Sequence, residues 1–186
     1  MIKTVESLLE SVHNISLGTT SIQPKTTVRN LDFLLDSELN LNSHVNQVVR
    51  SGYFQRRQLR IVYQYLSTEN VKTLVHAFIC NKIDYCNSLY YRANSIIHKK
   101  LQSLLNSAAR LIIGQHKYDH ISETLRILHW LRIPQRIDYK IASITRRSLI
   151  GAGPQYVSEY LTPVGSIQGR AHLRSADQGL LVVPRT

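Results

Sequence analysis

Apolar residues fall at Val71, Leu74, Val75, Phe78, Ile79, Ile83 and Cys86. That i, i+3, i+4 spacing lines one side of an α-helix and no side of a β-strand. A second stripe, Ile97, Leu101, Leu104, Leu105, Ala108, Leu111 and Ile112, runs through a segment from Asn94 to Ile113. Gly114 follows it, in the position where a left-handed residue stops a helix. Two helices with faces this apolar must bury them against other elements, so the chain is committed to helix packing on helix.

The flanking segments extend this reading. Val45, Val48, Val49, Gly52, Leu59, Val62 and Leu66 mark one face of a helix beginning at Asn42 or Ser43, either of which can cap it. Ser67 or Thr68 starts the next helix. Further helical segments are expected over about 121–130 and 135–150, with Pro134 at the first turn of the later one. A short helix ends near Leu161. Residues 2–13 carry an amphipathic pattern, Val5, Leu8, Leu9 and Val12. Ser16 to Ser37 reads as two short strands around a turn at Pro24 and Lys25. From Thr162 onward Gly, Ser, Gln and Arg dominate, no apolar period survives, and 163–186 reads as a flexible tail. The expected fold is mainly α, a helical bundle of about five to six helices preceded by a small β-hairpin. Its segments are 1–41, 42–162 and 163–186, and no internal repeat is evident.

At 186 residues and 43% hydrophobic content, the chain is long enough to bury roughly 70% of its unfolded surface. No run approaches the ~20 apolar residues a membrane span needs. The opening MIKTVESLLESVHN has no apolar core of signal-peptide type, so an intracellular protein is expected. Cys80 and Cys86 are the only cysteines, and on a helix they would stand roughly 240° apart around the axis. That separation suits neither a disulfide nor a shared metal, so both read as small core-type residues in a reducing compartment. The formal charge of +11 is unevenly placed. Residues 1–40 hold three Lys/Arg and five Asp/Glu, a charge of −2, and residues 41–186 hold 20 and 7, a charge of +13. An excess of that size favours a polyanionic partner, because each neutralised phosphate releases counterions.

Signals for chemistry are few. A two-metal polymerase site needs clustered carboxylates, and no two acidic residues are adjacent in this sequence. Asp32 and Asp36 would lie about 13 Å apart on one side of a strand, too far to share a metal, and read as turn or edge acids. His116 and His120, with Asp119 beside the latter, have the spacing of a helical metal pair, but the run HKYDH lacks the HExxH glutamate and further ligands. The eight scattered histidines mark no catalytic triad, and no phosphate-cradling glycine loop occurs. No cofactor, metal or catalytic residue is expected.

The basic residues form two stripes. Arg50, Arg56, Arg57 and Arg60 fall on the first bundle helix with no acid between Glu38 and Glu69, and Tyr53 and Tyr63 interleave with them. Such a face can pair guanidinium groups with phosphates while the rings pack on sugars or bases; it can equally be a solvated face whose arginine stems cover apolar surface. Arg136, Lys140 and Arg147 follow at i, i+4 and i+11 on the 135–150 helix, with Arg132 just before. Those four can line one side, and exchanging the last three for Gln is expected to leave the fold intact. Trp130, the only tryptophan, sits among Leu128, Leu131 and Ile133 and reads as a core anchor, not a stacking platform.

The segments VRNLDFLLDS (28–37), LVHAFICNKIDYCNSLYY (74–91), LQSLLNSAARLI (101–112), HISETLRILHWLRIPQRIDYKI (120–141) and GLLVVPRT (179–186) occur in an order that resembles the C-terminal part of a LINE-type non-LTR retrotransposon reverse transcriptase of the jockey-like group. The resemblance runs from about residue 15 to the end, and that part follows the palm of the polymerase. It implies thumb and connector helices that position an RNA template or RNA–DNA duplex, without chemistry of their own. The family's Tyr/Phe-Ala-Asp-Asp signature lies upstream of the resembling segment and is absent here. His120 matches a helix-start position where capping or packing is the implied role. Asp32 stands where the family usually has Gly, which puts the tightness of the hairpin in question. Expected partners are nucleic acid, bound weakly by the isolated chain, and a palm or protein partner for the apolar surface a thumb normally packs away. Two other readings stay open: a domesticated helical protein–protein interaction module, and a translated remnant without selected function.

Overall fold

The computed structural model describes residues 15–116, 118–169 and 178–183; the side chains of Ile15 and Ser16 are excepted. The helix expected over 2–13 lies outside the described residues. Two antiparallel hairpins come first. β1 (Ile15–Leu17) pairs with β2 (Thr20–Ile22), and β3 (Thr27–Asn30) pairs with β4 (Phe33–Asp36). The sequence reading anticipated one hairpin turning at Pro24 and Lys25. Those residues instead link two hairpins, and the turns fall at Gly18, with φ +61°, and at Leu31, with φ 54°. The second turn is closed around Asp32: the Arg29 guanidinium pairs with Asp32 at 2.6 Å, and its Nε donates to the Leu31 carbonyl at 3.0 Å. Asn30 and Phe33 remain in register, so the hairpin is tight.

Asp36 then fixes the entry to the bundle, accepting from the backbone N–H groups of Asn40 (2.9 Å) and Leu41 (3.0 Å). α1 spans Asn42–Val62. Neither Asn42 nor Ser43 caps it; Leu41 does so with a left-handed backbone and no side-chain bond. Its apolar face ends at Leu59. Val62 is exposed, because the chain tightens into a 3₁₀ turn over Tyr63–Tyr65. α2 (Thr68–Val75) starts at Ser67, whose hydroxyl accepts from Asn70 N–H, and runs through a π turn, His76–Cys80, into α3 (Asn81–Asp84). The wider π turn keeps Val71, Val75, Ile79 and Ile83 in one buried row and adds Cys80. It turns Phe78 out to 43% exposure, against the expectation of a regular stripe. Cys86 lies beyond α3 in a left-handed conformation, half-buried, and both cysteines are free.

α4 (Ser95–Ile113) forms as its stripe requires. Asn94 caps it by accepting from Ile97 N–H, and Gly114 closes it at φ +73°. α5 (Ile121–Ile127), α6 (Ile133–Leu149, with Pro134 in its first turn) and the short α7 (Gln155–Ser158) complete a mainly α bundle. The core sits between α1, α2 and α4: Val45, Val71, Val75, Ile97, Leu101, Leu104, Leu105 and Ala108 are at most 1% exposed. The close approach of α1 to α4 depends on Gly52, where a β-carbon would lie 2.5 Å from Leu104 Cδ2.

β4 docks on the bundle through His44. Its ring stacks on Phe33 at 3.8 Å, lies 6.3 Å from Tyr90, and accepts the Leu34 N–H on Nδ1 at 3.3 Å. The ring's proton is therefore on Nε2, which finds no acceptor among the described residues. Burial lowers the pKa of His44, with the charge of Asp32 opposing, and burial followed by Arg136 and Lys72 lowers that of His76. Both histidines thus take up a proton more readily unfolded, near pH 6.5, than folded. Their contribution to stability is complete above that pH and is lost as pH falls through the window below it. The thermal midpoint is expected to be lower at pH 5.5 than at 7.5, and His44→Asn should shrink the difference. An equal or higher midpoint at pH 5.5 would contradict this account of the docking.

Of the residues expected to form the tail, 170–177 and 184–186 lie outside the described ones. In the described part a 3₁₀ turn covers Val164–Ser166, and Thr162–Val164 pairs back on Leu180–Val182: Val164 N–H donates to the Leu180 carbonyl and Val182 N–H to that of Thr162, both at 2.9 Å. Among the described residues no helix is long and apolar enough to cross a membrane.

Candidate nucleic-acid interface

Helical geometry divides the arginines of α1 between two faces. At about 100° per residue, Arg50 and Arg57 point within roughly 20° of each other, and Arg56 and Arg60 point some 60–120° away, toward α4. Exposed Phe54 and Ile61 share the first face. The second face forms one wall of a cleft of about 640 Å³ between the C-terminal halves of α1 and α4. Tyr53, Arg56, Arg60 and Tyr63 line it from α1 and the turn that follows; Ser103, Ser107 and Arg110 line it from α4; Gln115 and His116 close its end.

The cleft is held open by bonds across it. Tyr53 and Ser103 share a hydroxyl–hydroxyl bond of 3.0 Å, and Arg56 Nε donates to the Ser107 carbonyl at 3.1 Å. One Arg110 terminal N–H donates to the Asp119 carbonyl at 3.0 Å, while its buried Nε has no acceptor among the described residues. Arg60 makes no hydrogen bond or ion pair among them. Among the described residues no carboxylate lines the cleft, so its guanidinium groups are uncompensated there. A β-carbon at Gly114 would come within 3.1 Å of the Tyr63 hydroxyl, so glycine serves both the helix stop and the cleft floor. Sequence reasoning had not included Arg110, Ser103 or Ser107. The signal was present, because no acid occurs between Asp84 and Asp119.

The second stripe is corrected. Lys140 and Arg147 are exposed on α6, but Arg136 is turned inward, its side chain 13% exposed. It pairs with Asp84 at 2.6 Å, donates Nε to the Leu131 carbonyl, and sits 5.6 Å from the centre of the Trp130 ring. It is a cross-brace between α3, the turn before α6, and Trp130. Arg132 donates to Ser122 Oγ at 3.0 Å and, through its backbone N–H, to Gln135 Oε1. The triple exchange that includes Arg136 is therefore expected to cost stability. Arg136→Gln alone is expected to cost about 1–2 kcal/mol, less than a fully buried pair because Asp84 is partly solvated. Chemical denaturation checks this, and an unchanged unfolding free energy would contradict the brace.

His116 and His120 sit exposed in the connection between α4 and α5, where Asp119 accepts from the His116 backbone N–H. Among the described residues no three His, Cys, Asp or Glu could hold a metal. His120 occupies the cap position of α5, but its side chain makes no capping bond. Burial pushes the Cys80 thiol up to about 12, out of the range of a nucleophile. Trp130 is buried as expected, with His76 edge-on to it at 5.2 Å. No protein-family model, curated protein or solved structure matches the chain.

Proposed function

We propose that the chain is a nucleic-acid-binding helical unit, a thumb and connector fragment of a retrotransposon reverse transcriptase without its catalytic palm. One observation carries the reading. α1 and α4, packed together at the centre of the bundle, bear Arg50, Arg56, Arg57, Arg60, Lys99, Lys100 and Arg110 and not one Asp or Glu. Seven cations on two adjacent helices repel one another, and a polyanion laid across them removes that cost while releasing its own counterions. The unit positions an RNA template or RNA–DNA duplex and carries no bond-making group. A primed RNA template with magnesium or manganese is accordingly expected not to be extended by the purified chain, and measurable synthesis would contradict the reading.

One feature favours a second reading, an interaction module for another protein: Phe54 is 56% and Ile61 64% exposed, side by side with Arg50 and Arg57. Titration of a labelled RNA–DNA duplex with the chain at graded salt separates the two. Affinity that falls steeply with salt supports nucleic-acid binding. Absence of duplex binding, with salt-insensitive binding of an apolar protein partner, supports the module.

A further inference from the structure

The cleft between α1 and α4 is assigned no role by binding along the helices' outer faces. Its 640 Å³ falls in the range of pockets that enclose a compact ligand, far too small to take a duplex. Its lining combines two kinds of group. Arg56, Arg60 and Arg110 supply guanidinium N–H donors that no carboxylate among the described residues answers, and Tyr53 and Tyr63 supply aromatic rings between them. Arginine matches the oxygens of a phosphodiester with paired donors, and a tyrosine face takes an unpaired base whatever its identity.

Three of these groups, Tyr53, Arg56 and Arg110, are held in place. Tyr53 is tethered at its hydroxyl to Ser103, and Arg56 is anchored by Nε to Ser107, which leaves its terminal nitrogens for a ligand. Arg110 is fixed by the Asp119 carbonyl. Side chains already ordered lose little freedom on binding. We infer that the α1–α4 cleft is a single-strand site, which takes a short unpaired stretch of polynucleotide with its phosphates on Arg56, Arg60 and Arg110 and a base against Tyr53. This deepens the proposed nucleic-acid binding and rests on it: the outer arginines hold the strand at large, and the cleft holds an unpaired portion.

The test uses the full chain and two fluorescent oligonucleotides of equal length, one a base-bearing single strand and the other an abasic phosphodiester chain. Binding is followed by anisotropy at several salt concentrations, with circular dichroism as the check on folding. The base-bearing strand is expected to bind more tightly than the abasic one. Tyr53→Ala should weaken the base-bearing strand by roughly five- to 150-fold, the range of one lost stacking contact, and bring the two strands together. Arg60→Gln, an exposed change that leaves the core untouched, should lower the salt slope by about one unit for both strands. Equal binding of the two strands to the native chain, or an equal loss on both from Tyr53→Ala, overturns the single-strand site. If duplex binding stays steeply salt-dependent in that case, the broader proposal survives. If neither strand nor duplex binds, both fall.

Discussion

Exchanging Arg50, Arg57 and Arg60 together for Gln is expected to lower the affinity of the chain for an RNA–DNA duplex on the order of 10²-fold at ~0.1 M salt. It also flattens the log–log salt dependence by up to about three units. All three side chains are exposed on α1 and make no bond to the described protein, so the change leaves stability within about 0.5 kcal/mol. Exchanging Lys140 and Arg147 on α6 costs less, because the neighbouring Arg136 is committed to Asp84 and cannot extend their stripe. The comparison is a titration of each variant under matched salt. An equal or larger loss from the α6 pair would shift the binding face to that helix.

The largest effect on stability is expected at Trp130. Its ring is 8% exposed, meets His76 edge-on, and carries the Arg136 guanidinium over its face. Trp130→Ala empties a large volume and also removes the surface on which Arg136 rests, so a cost of about 3–5 kcal/mol is expected. For a chain of this length that is a fall in thermal midpoint of roughly 6–20 °C. Trp130→Phe, which keeps most of the apolar contact, should lose well under half as much. A midpoint within a degree or two of the native one for the alanine variant would show that Trp130 anchors nothing.

The helices were legible wherever one period ran unbroken and its ends carried a cap. The stripe from Ile97 to Ile112, with Asn94 before it and Gly114 after, gave α4 its bounds and its buried face. Ser67 similarly fixed the start of α2. The reading failed where backbone conformation departs from what residue type favours. Leu31 and Leu41 adopt positive φ, which nothing about leucine announces, and these positions set the second hairpin turn and the entry to α1. The π turn at His76–Cys80 is equally silent in the sequence, since it keeps apolar residues apolar and changes only which of them face the core.

The candidate site divides along the same line. Charge asymmetry and the run without acids pointed to α1, with Arg56 and Arg60 on it, but α4 with Lys99, Lys100 and Arg110 was not anticipated. Arg110 was missed because it reaches the cleft only when α4 packs on α1, a contact of high sequence separation. Arg136 was misassigned for the converse reason. Its i, i+4 relation to Lys140 places the two on one side of α6, yet Asp84, 52 residues earlier, draws its guanidinium inward.

The central claim, that the acid-free pair α1 and α4 is the nucleic-acid face, is tested most directly by zero-length photocrosslinking of the full chain. A strand carrying photoactivatable bases is used, and the attached peptides are identified by mass spectrometry. Crosslinks are expected within residues 50–63 and 99–116, with Tyr53 and Tyr63 among the modified side chains, and they should fade as salt is raised. Crosslinks confined to α6 or to residues 162–183, or a pattern indifferent to salt, would contradict the claim.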